Sequence, residues 1–238
     1  MTRAVVLAGG AGTRLRPYTA VLPKPLMPVG DRPVLDIVIR QLKAAGFERV
    51  TIATGYLAEL IEAFFRDGAA YGIEIDYHRE AEPLGTVGAL ALIDGLDAPF
   101  LVMNGDVLTD MDYRELVARH VASGAAATIA TTRRHVEISL GVMRFGDADA
   151  PERVTDYIEK PTLHYDVSMG VYCFDPRVLE HIHAGVRLDF PDLVLRLLAH
   201  GERVEAWRPE AYWLDLGRHD DYEAAQGEFE AMRERLLP

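Results

Sequence analysis

Gly9, Gly10 and Gly12 follow directly on the apolar run Arg3 to Ala8, and Arg14 and Lys24 come close behind. Glycines at the end of a strand let backbone N–H groups approach an anion without Cβ in the way, and they reach the positive φ that an anion-binding nest requires. Arg14 offers a planar fork for phosphate oxygens, and Lys24 a compact positive charge. The same letters also suit a structural glycine turn flanked by surface cations. Two other phosphate motifs fail. A Walker loop needs lysine and a hydroxyl directly after its last glycine, but Gly12 is followed by Thr13-Arg14. A dinucleotide fingerprint would put glycine or alanine where Leu15 stands and an acid where the second strand ends at Thr54-Gly55-Tyr56.

Three more segments carry chemistry. Asn104-Gly105-Asp106 closes the apolar run Phe100 to Met103, and open α/β sheets place ligands at the carboxyl ends of such strands. Asp106 there is a hard oxygen donor suited to Mg²⁺, or else part of a simple turn. Glu82-Pro83-Leu84-Gly85-Thr86-Val87-Gly88-Ala89-Leu90 reads as a loop opening a helix. The helix N-terminus would favour polar or negative ligand groups, or Thr86 is an ordinary cap. Tyr157-Ile158-Glu159-Lys160-Pro161 ends a strand with an acid and a base in succession. Lys160 suits a phosphate and Glu159 suits hydroxyls, although a solvated ion pair fits these letters as well. Of the eight histidines none has metal-ligand spacing, and His78, His135 and His164 read as surface or satisfied polar residues.

The elements that must position these residues follow from periodicity. Strands are expected at Arg3 to Ala8, Val50 to Ala53, Ile73 to Tyr77 and Phe100 to Met103. Helices between them are expected at Val34 to Ala45, stopping at Gly46, at Ala58 to Phe65 and at Gly85 to Ile93. This alternation predicts a parallel three-layer sandwich. The second half is strand-like at Ala126 to Thr131, Leu140 to Phe145, Arg153 to Ile158 and Val167 to Phe174, with few helices between, so a mixed sheet extension is expected there. Helical patterns return at Pro176 to Ile182, Phe190 to His200 and Asp220 to Leu236.

The ordered series Gly9-Gly10-Ala11-Gly12-Thr13-Arg14-Leu15, Pro23-Lys24-Pro25-Leu26, the Glu82 to Leu90 segment, Asn104-Gly105-Asp106, Glu159-Lys160-Pro161 and Trp213-Leu214-Asp215-Leu216-Gly217 resembles the signature of the sugar-1-phosphate nucleotidyltransferases. It spans nearly the whole chain. The resemblance implies a Rossmann-like α/β/α sandwich with a mixed, mainly parallel sheet, one domain over residues 1–238. Residues 1–110 would form the nucleotide half and 111–238 the sugar-phosphate half. It further implies nucleotide contacts from Leu7, Ala8, Gly9, Gly10, Gly12, Thr13, Arg14, Lys24, Glu82, Gly85, Thr86, Asn104 and Gly105. Gly141, Glu159, Lys160, Ser168 and Gly170 would hold the sugar phosphate, Asp106 and Asp215 would share Mg²⁺, and Arg14, Lys24 and Asp106 would be catalytic. The Pro-Leu-Gly-Thr form is most similar to guanylyltransferase members, so GTP is the favoured donor. Thymidylyl, uridylyl or cytidylyl transfer to a sugar, heptose or cyclitol phosphate is the alternative, as is a non-catalytic sugar-nucleotide-binding subunit. Ser168-Met169 departs from the alanine or asparagine common before Gly170, which leaves the sugar open.

Bulk properties bound the rest. With 238 residues, 49% hydrophobic and 26% charged, the chain can bury a substantial core. A formal charge of −12 argues against non-specific binding to nucleic acid or an anionic membrane. The single cysteine, Cys173, excludes an internal disulfide and reads as a buried structural thiol. The apolar run after Arg3 is broken by glycine before it could serve as a signal peptide, so cytoplasmic residence is expected. No added acyltransferase or β-helix module is expected after the final helix. A homo-oligomer remains open.

Overall fold

The computed structural model describes residues 3–146 and 149–237. In chain order the strands are β1 (Arg3–Ala8), β2 (Pro28–Val29), β3 (Arg32–Pro33), β4 (Arg49–Thr54), β5 (Glu74–Arg79), β6 (Phe100–Asn104) and β7 (Val107–Thr109). They continue as β8 (Ala127–Glu137), β9 (Val142–Phe145), β10 (Val154–Ile158), β11 (Thr162–Phe174), β12 (Val204–Trp207) and β13 (Trp213–Asp215). The α-helices are α1 (Val34–Ala44), α2 (Ala58–Phe65), α3 (Tyr113–Ser123), α4 (Phe190–Ala199) and α5 (His219–Leu236).

β1 is buried along nearly its whole length, as an apolar β-branched run must be when both faces of a sheet are covered. The main sheet has the order β12-β8-β11-β6-β1-β4-β5. Only β11 runs against the others, which makes it the mixed, mainly parallel sheet expected. On one face Leu35, Val38 and Leu42 of α1, Ile61 and Phe65 of α2 and Leu116 of α3 form one core. On the other, Leu193 and Leu197 of α4 join Val178 and Leu90 from short 3-10 turns. A third cluster packs Ala225, Phe229 and Leu236 of α5 against Val34 and Ile37 of α1 and Leu108 of β7. Cys173 is buried, and burial pushes its thiol up to about 12. Among the described residues no helix is long and apolar enough to cross a membrane.

Four expectations need correction. The helix expected at Gly85 to Ile93 is only a 3-10 turn, Gly88–Leu92. Gly85 stands at φ +79° and a Cβ there would lie 2.5 Å from the Leu188 carbonyl, so the chain cannot enter a helix at that point. The helix at Pro176 to Ile182 is likewise a 3-10 turn, Pro176–His181. Between the first and second halves stands α3, which the sequence pattern left out. Its N-terminus is capped by Asp112, whose carboxylate accepts from the N–H groups of Arg114 and Glu115. Finally, the strand expected at Ala126 to Thr131 runs on to Glu137, well beyond the main sheet.

Candidate active site

The cavity opens at the carboxyl ends of β1 and β6, where a sheet leaves its loops free to meet ligands. It measures about 380 Å³. Leu7, Ala8, Gly9, Gly10, Gly12, Arg14 and Lys24 line one side, Asn104 and Asp106 the floor, and Gly85 and Thr86 the far wall. Gly12 adopts φ +57°, which turns the chain into the 3-10 turn Thr13–Leu15. Its carbonyl accepts from Leu15 N–H at 2.9 Å and from the Thr19 hydroxyl at 2.8 Å. These two bonds hold the turn of the loop. Gly105 donates its N–H to the Leu7 carbonyl at 2.9 Å, and it stands behind the loop, off the cavity wall. Thr13 is exposed outside it.

Strand register brings the two distant aspartates together. β13 pairs antiparallel with β7, Asp215 opposite Val107, and Leu216 donates its N–H to the Asp106 carbonyl at 3.2 Å. The Lys24 ammonium is hydrogen-bonded to the Asp106 carboxylate and stands 3.9 Å from Asp215 Oδ1. Burial, and then the Asp106 charge, raise the Asp215 carboxyl above its ordinary range. Two carboxylates that repel each other across one ammonium form a pocket for further positive charge. Among the described residues no group of three or more acidic, histidine or cysteine side chains could hold a metal.

At the opposite end the loop 83–88 is clamped by residues 186–190. Val87 N–H donates to Leu188 O at 3.1 Å, and Leu188 N–H to Leu84 O at 2.9 Å. Thr86 N–H donates to Asp189 Oδ1 at 3.1 Å, and the Thr86 hydroxyl accepts from Phe190 N–H at 2.6 Å. Thr86 thus caps α4 rather than a helix of its own. Glu80, the residue after β5, also lines the cavity, with Oε2 held by Leu84 N–H at 2.9 Å. Glu82, the residue singled out in the sequence, is exposed and off the wall. Arg187 and Asp189 also line the cavity. No motif marked them, because they lie in a connection whose place is set only by long-range packing.

The five residues expected to meet the acceptor divide. Gly170 lies beside the cavity floor, where a Cβ would come 2.6 Å from Asn104 Nδ2. Ser168 reaches it through its Oγ, which accepts from Gly170 N–H at 3.2 Å. Met169 between them is buried in the core, its carbonyl accepting from Trp213 Nε1 at 2.8 Å. The departure at Met169 therefore bears on core packing. Gly141, Glu159 and Lys160 lie outside the cavity wall, on and beside the hairpin of β9 and β10. There the Tyr157 phenol lies against Gly141 and donates to Glu159 Oε2 at 3.0 Å, while Lys160 holds φ +45°. His78, His135 and His164 do not line the cavity.

Comparison with known proteins agrees with this geometry. Residues 3–231 match the family model described as Nucleotidyl transferase. The chain is 33% identical over 240 residues to a UTP–glucose-1-phosphate uridylyltransferase of Synechocystis, covering 92% of this chain and 61% of that protein. It is 35% identical over 227 residues to a mannose-1-phosphate guanylyltransferase of Mycobacterium tuberculosis, covering 92% and 62%. It thus spans about three-fifths of the length of these relatives. Among solved structures, HddC from Yersinia pseudotuberculosis complexed with GMP-PN superposes with a TM-score of 0.72 at 25% identity, covering 96% of this chain and all (100%) of that one. Glycine loop, paired aspartates and match over nearly the full length agree, and the chain belongs to the nucleotidyl transferase family.

Proposed function

We propose that the chain transfers a nucleoside monophosphate, from GTP by preference, to a sugar 1-phosphate and releases pyrophosphate. The observation that carries this reading is the meeting of Lys24, Asp106 and Asp215 at the mouth of a glycine-lined cavity. Residues 1–110 serve the nucleotide and 111–238 the acceptor, in a cytoplasmic enzyme that needs neither nucleic acid nor membrane.

The donor set fits a magnesium ion. Mg²⁺ favours one or two carboxylates and leaves its remaining positions to phosphates and water, and Asp106 and Asp215 are two hard oxygen donors already burdened by mutual repulsion. Asp106 and Asp215 would hold such an ion, which would supply positive charge for the triphosphate. The chain's own residues do the rest. Backbone N–H groups of the loop at Gly9, Gly10 and Gly12 cradle phosphate oxygens, and Arg14 and Lys24 stabilise charge on the departing pyrophosphate. Lys160 and Glu159 hold the acceptor's phosphate and hydroxyls. An oxygen of the sugar phosphate attacks the α-phosphorus, the α–β bridging bond breaks, and pyrophosphate takes the electron pair. That oxygen is anionic near neutral pH, so alignment and charge stabilisation carry the barrier without a general base.

Glu80 supports the guanine preference. Guanine offers an N1–H and a 2-amino group on one edge, and a carboxylate accepts both. The neighbour with GMP-PN bound is in keeping with this choice. A matrix of NTPs against hexose, heptose and cyclitol phosphates, read by pyrophosphate release with and without Mg²⁺, tests the proposal. Turnover is expected with GTP and a sugar 1-phosphate and only with the metal. Binding without pyrophosphate release from any pair would instead favour a non-catalytic sugar-nucleotide-binding subunit.

A further inference from the structure

His219, Tyr222, Gln226, Phe229 and Arg233 of α5 are spaced by three and four residues and so fall on one side of the helix. All five meet the segment 16–31. His219 Nε2 lies 3.1 Å from the Arg16 carbonyl. The Tyr222 hydroxyl and Gln226 Nε2 both donate to the Pro28 carbonyl, at 2.7 and 2.6 Å, and Gly30 N–H donates to Gln226 Oε1 at 3.0 Å. The Phe229 ring closes against Gly30, where a Cβ would run into it, and Arg233 donates to Asp31 Oδ1 at 2.7 Å. Hydrogen bonds make up most of this contact. They are directional, so they fix the position of what they hold, which apolar burial alone does not.

The segment so held is the phosphate arm. It starts directly after the turn Thr13–Leu15, which bears Arg14, and Lys24 lies in its middle. α5 itself begins four residues after Asp215. Its far end is fixed to the body, because the buried Gln41 donates from Nε2 to the Leu236 carbonyl at 2.9 Å and to the Thr109 carbonyl at 2.8 Å. Burial and the Asp106 charge raise the Asp215 carboxyl most, and Lys24, Asp221 and Arg14 act on it as well. The first turn of α5, the arm and the paired aspartates are thus within range of one another's charges.

Within the arm the stretch 16–22 is the least secured. Tyr18 is 55% and Val21 76% exposed. Among the described residues two hydrogen bonds reach this stretch from beyond the glycine loop. One runs from the Tyr56 hydroxyl to the Ala20 carbonyl at 3.0 Å, and the other joins His219 to Arg16. The Tyr18 ring rests on the same histidine, 5.9 Å between centroids. A carbonyl can only accept, so His219 Nε2 is the donor and the bond is available to the neutral ring and to the imidazolium alike.

We propose that His219 is a positioning residue, which by holding the Arg16 carbonyl sets Arg14 where the terminal phosphates of a nucleoside triphosphate come to lie. The inference rests on the activity proposed above. It separates the phosphates. A monophosphate ends at the glycine loop and does not need the arm, whereas a triphosphate does. Calorimetric titration of the full chain with GTP and UTP, each against its monophosphate, with Mg²⁺ and without acceptor, reads this apart from turnover. His219→Leu should weaken triphosphate binding about five- to tenfold, the loss of one hydrogen bond, and leave the monophosphates within about twofold. His219→Gln, whose amide N–H reaches about as far as Nε2, should restore the triphosphate. Equal losses for both nucleotides, no loss at all, or a Gln variant no better than the Leu variant would overturn the assignment. Should circular dichroism show His219→Leu unfolded, Tyr18→Ala decides, since that exposed ring can be removed without touching α5. The same selective loss supports the role, and triphosphate binding equal to the parent's overturns it. A parent that binds no nucleoside triphosphate overturns this inference and the proposed activity together, and a parent that its variants match overturns this inference alone.

Discussion

Around Gly12 and Gly85 the loops are tied down by hydrogen bonds within themselves and to neighbouring elements, and they line one cavity. Around Glu159 and Lys160, by contrast, a two-stranded ribbon runs exposed on nearly every residue from Arg133 to Phe145 and from Val154 to Asp166. On the proposed reading the nucleotide meets the end that is held by hydrogen bonds, and the acceptor meets the exposed end. A donor that varies only in its base can be met by a rigid cradle. Acceptors that differ in ring, hydroxyls and size are better met by a segment whose support comes from elsewhere.

The largest effects should fall on the rigid end. Lys24→Ala is expected to cost about 2–4 kcal/mol of transition-state stabilisation, roughly a hundred- to thousandfold in kcat, measured by pyrophosphate release at saturating substrates. Unimpaired turnover would deny Lys24 its role. Next in size, Glu80→Gln should raise the KM for GTP on the order of tenfold or more and narrow the preference over other NTPs, since an amide accepts one guanine donor and opposes the other. A base preference identical to the parent's would move base reading away from Glu80.

At the ribbon end the changes should be smaller and confined to the acceptor. Lys160→Ala is expected to raise the KM for the sugar phosphate on the order of tenfold, about the value of one charge-assisted contact, with the KM for GTP unchanged. Equal shifts in both constants would erase the distinction between the two ends. The smallest effect is on stability. Burial and the Asp106 charge work against an ionised Asp215, so Asp215→Asn should melt no lower than the parent at neutral pH while losing turnover. A lowered Tm would make Asp215 a structural residue.

This contrast also explains what was legible in the sequence. β1 and β6 carry nearly unbroken apolar runs because both of their faces are covered, and the glycine loop follows from residue type alone. The approach of Asp106 and Asp215 was written only as a resemblance, since it depends on β7 pairing with β13 across the length of the chain. The loop motif marks Glu82 and gives no sign of Glu80. The cavity takes Glu80, the residue that follows β5, and its place depends on where that strand ends. α3 escaped notice because Arg114, Glu115 and Arg119 dilute its apolar stripe. β9 and β10 fall inside the strands expected at Leu140 to Phe145 and Arg153 to Ile158, whereas the extension of β8 to Glu137 is hidden because Arg133, Arg134, His135 and Glu137 break the apolar signal that a covered strand would show.

Everything proposed for turnover depends on Asp106 and Asp215 acting as one unit. The most direct test is a double-mutant cycle of Asp106→Asn and Asp215→Asn, with kcat read by pyrophosphate release over a Mg²⁺ titration. Each single variant is expected to lose roughly a hundredfold or more in kcat, and the double variant to lose little beyond that, as groups sharing one ion should. Losses that multiply independently, or a single variant with the parent's rate and metal requirement, would contradict a shared site.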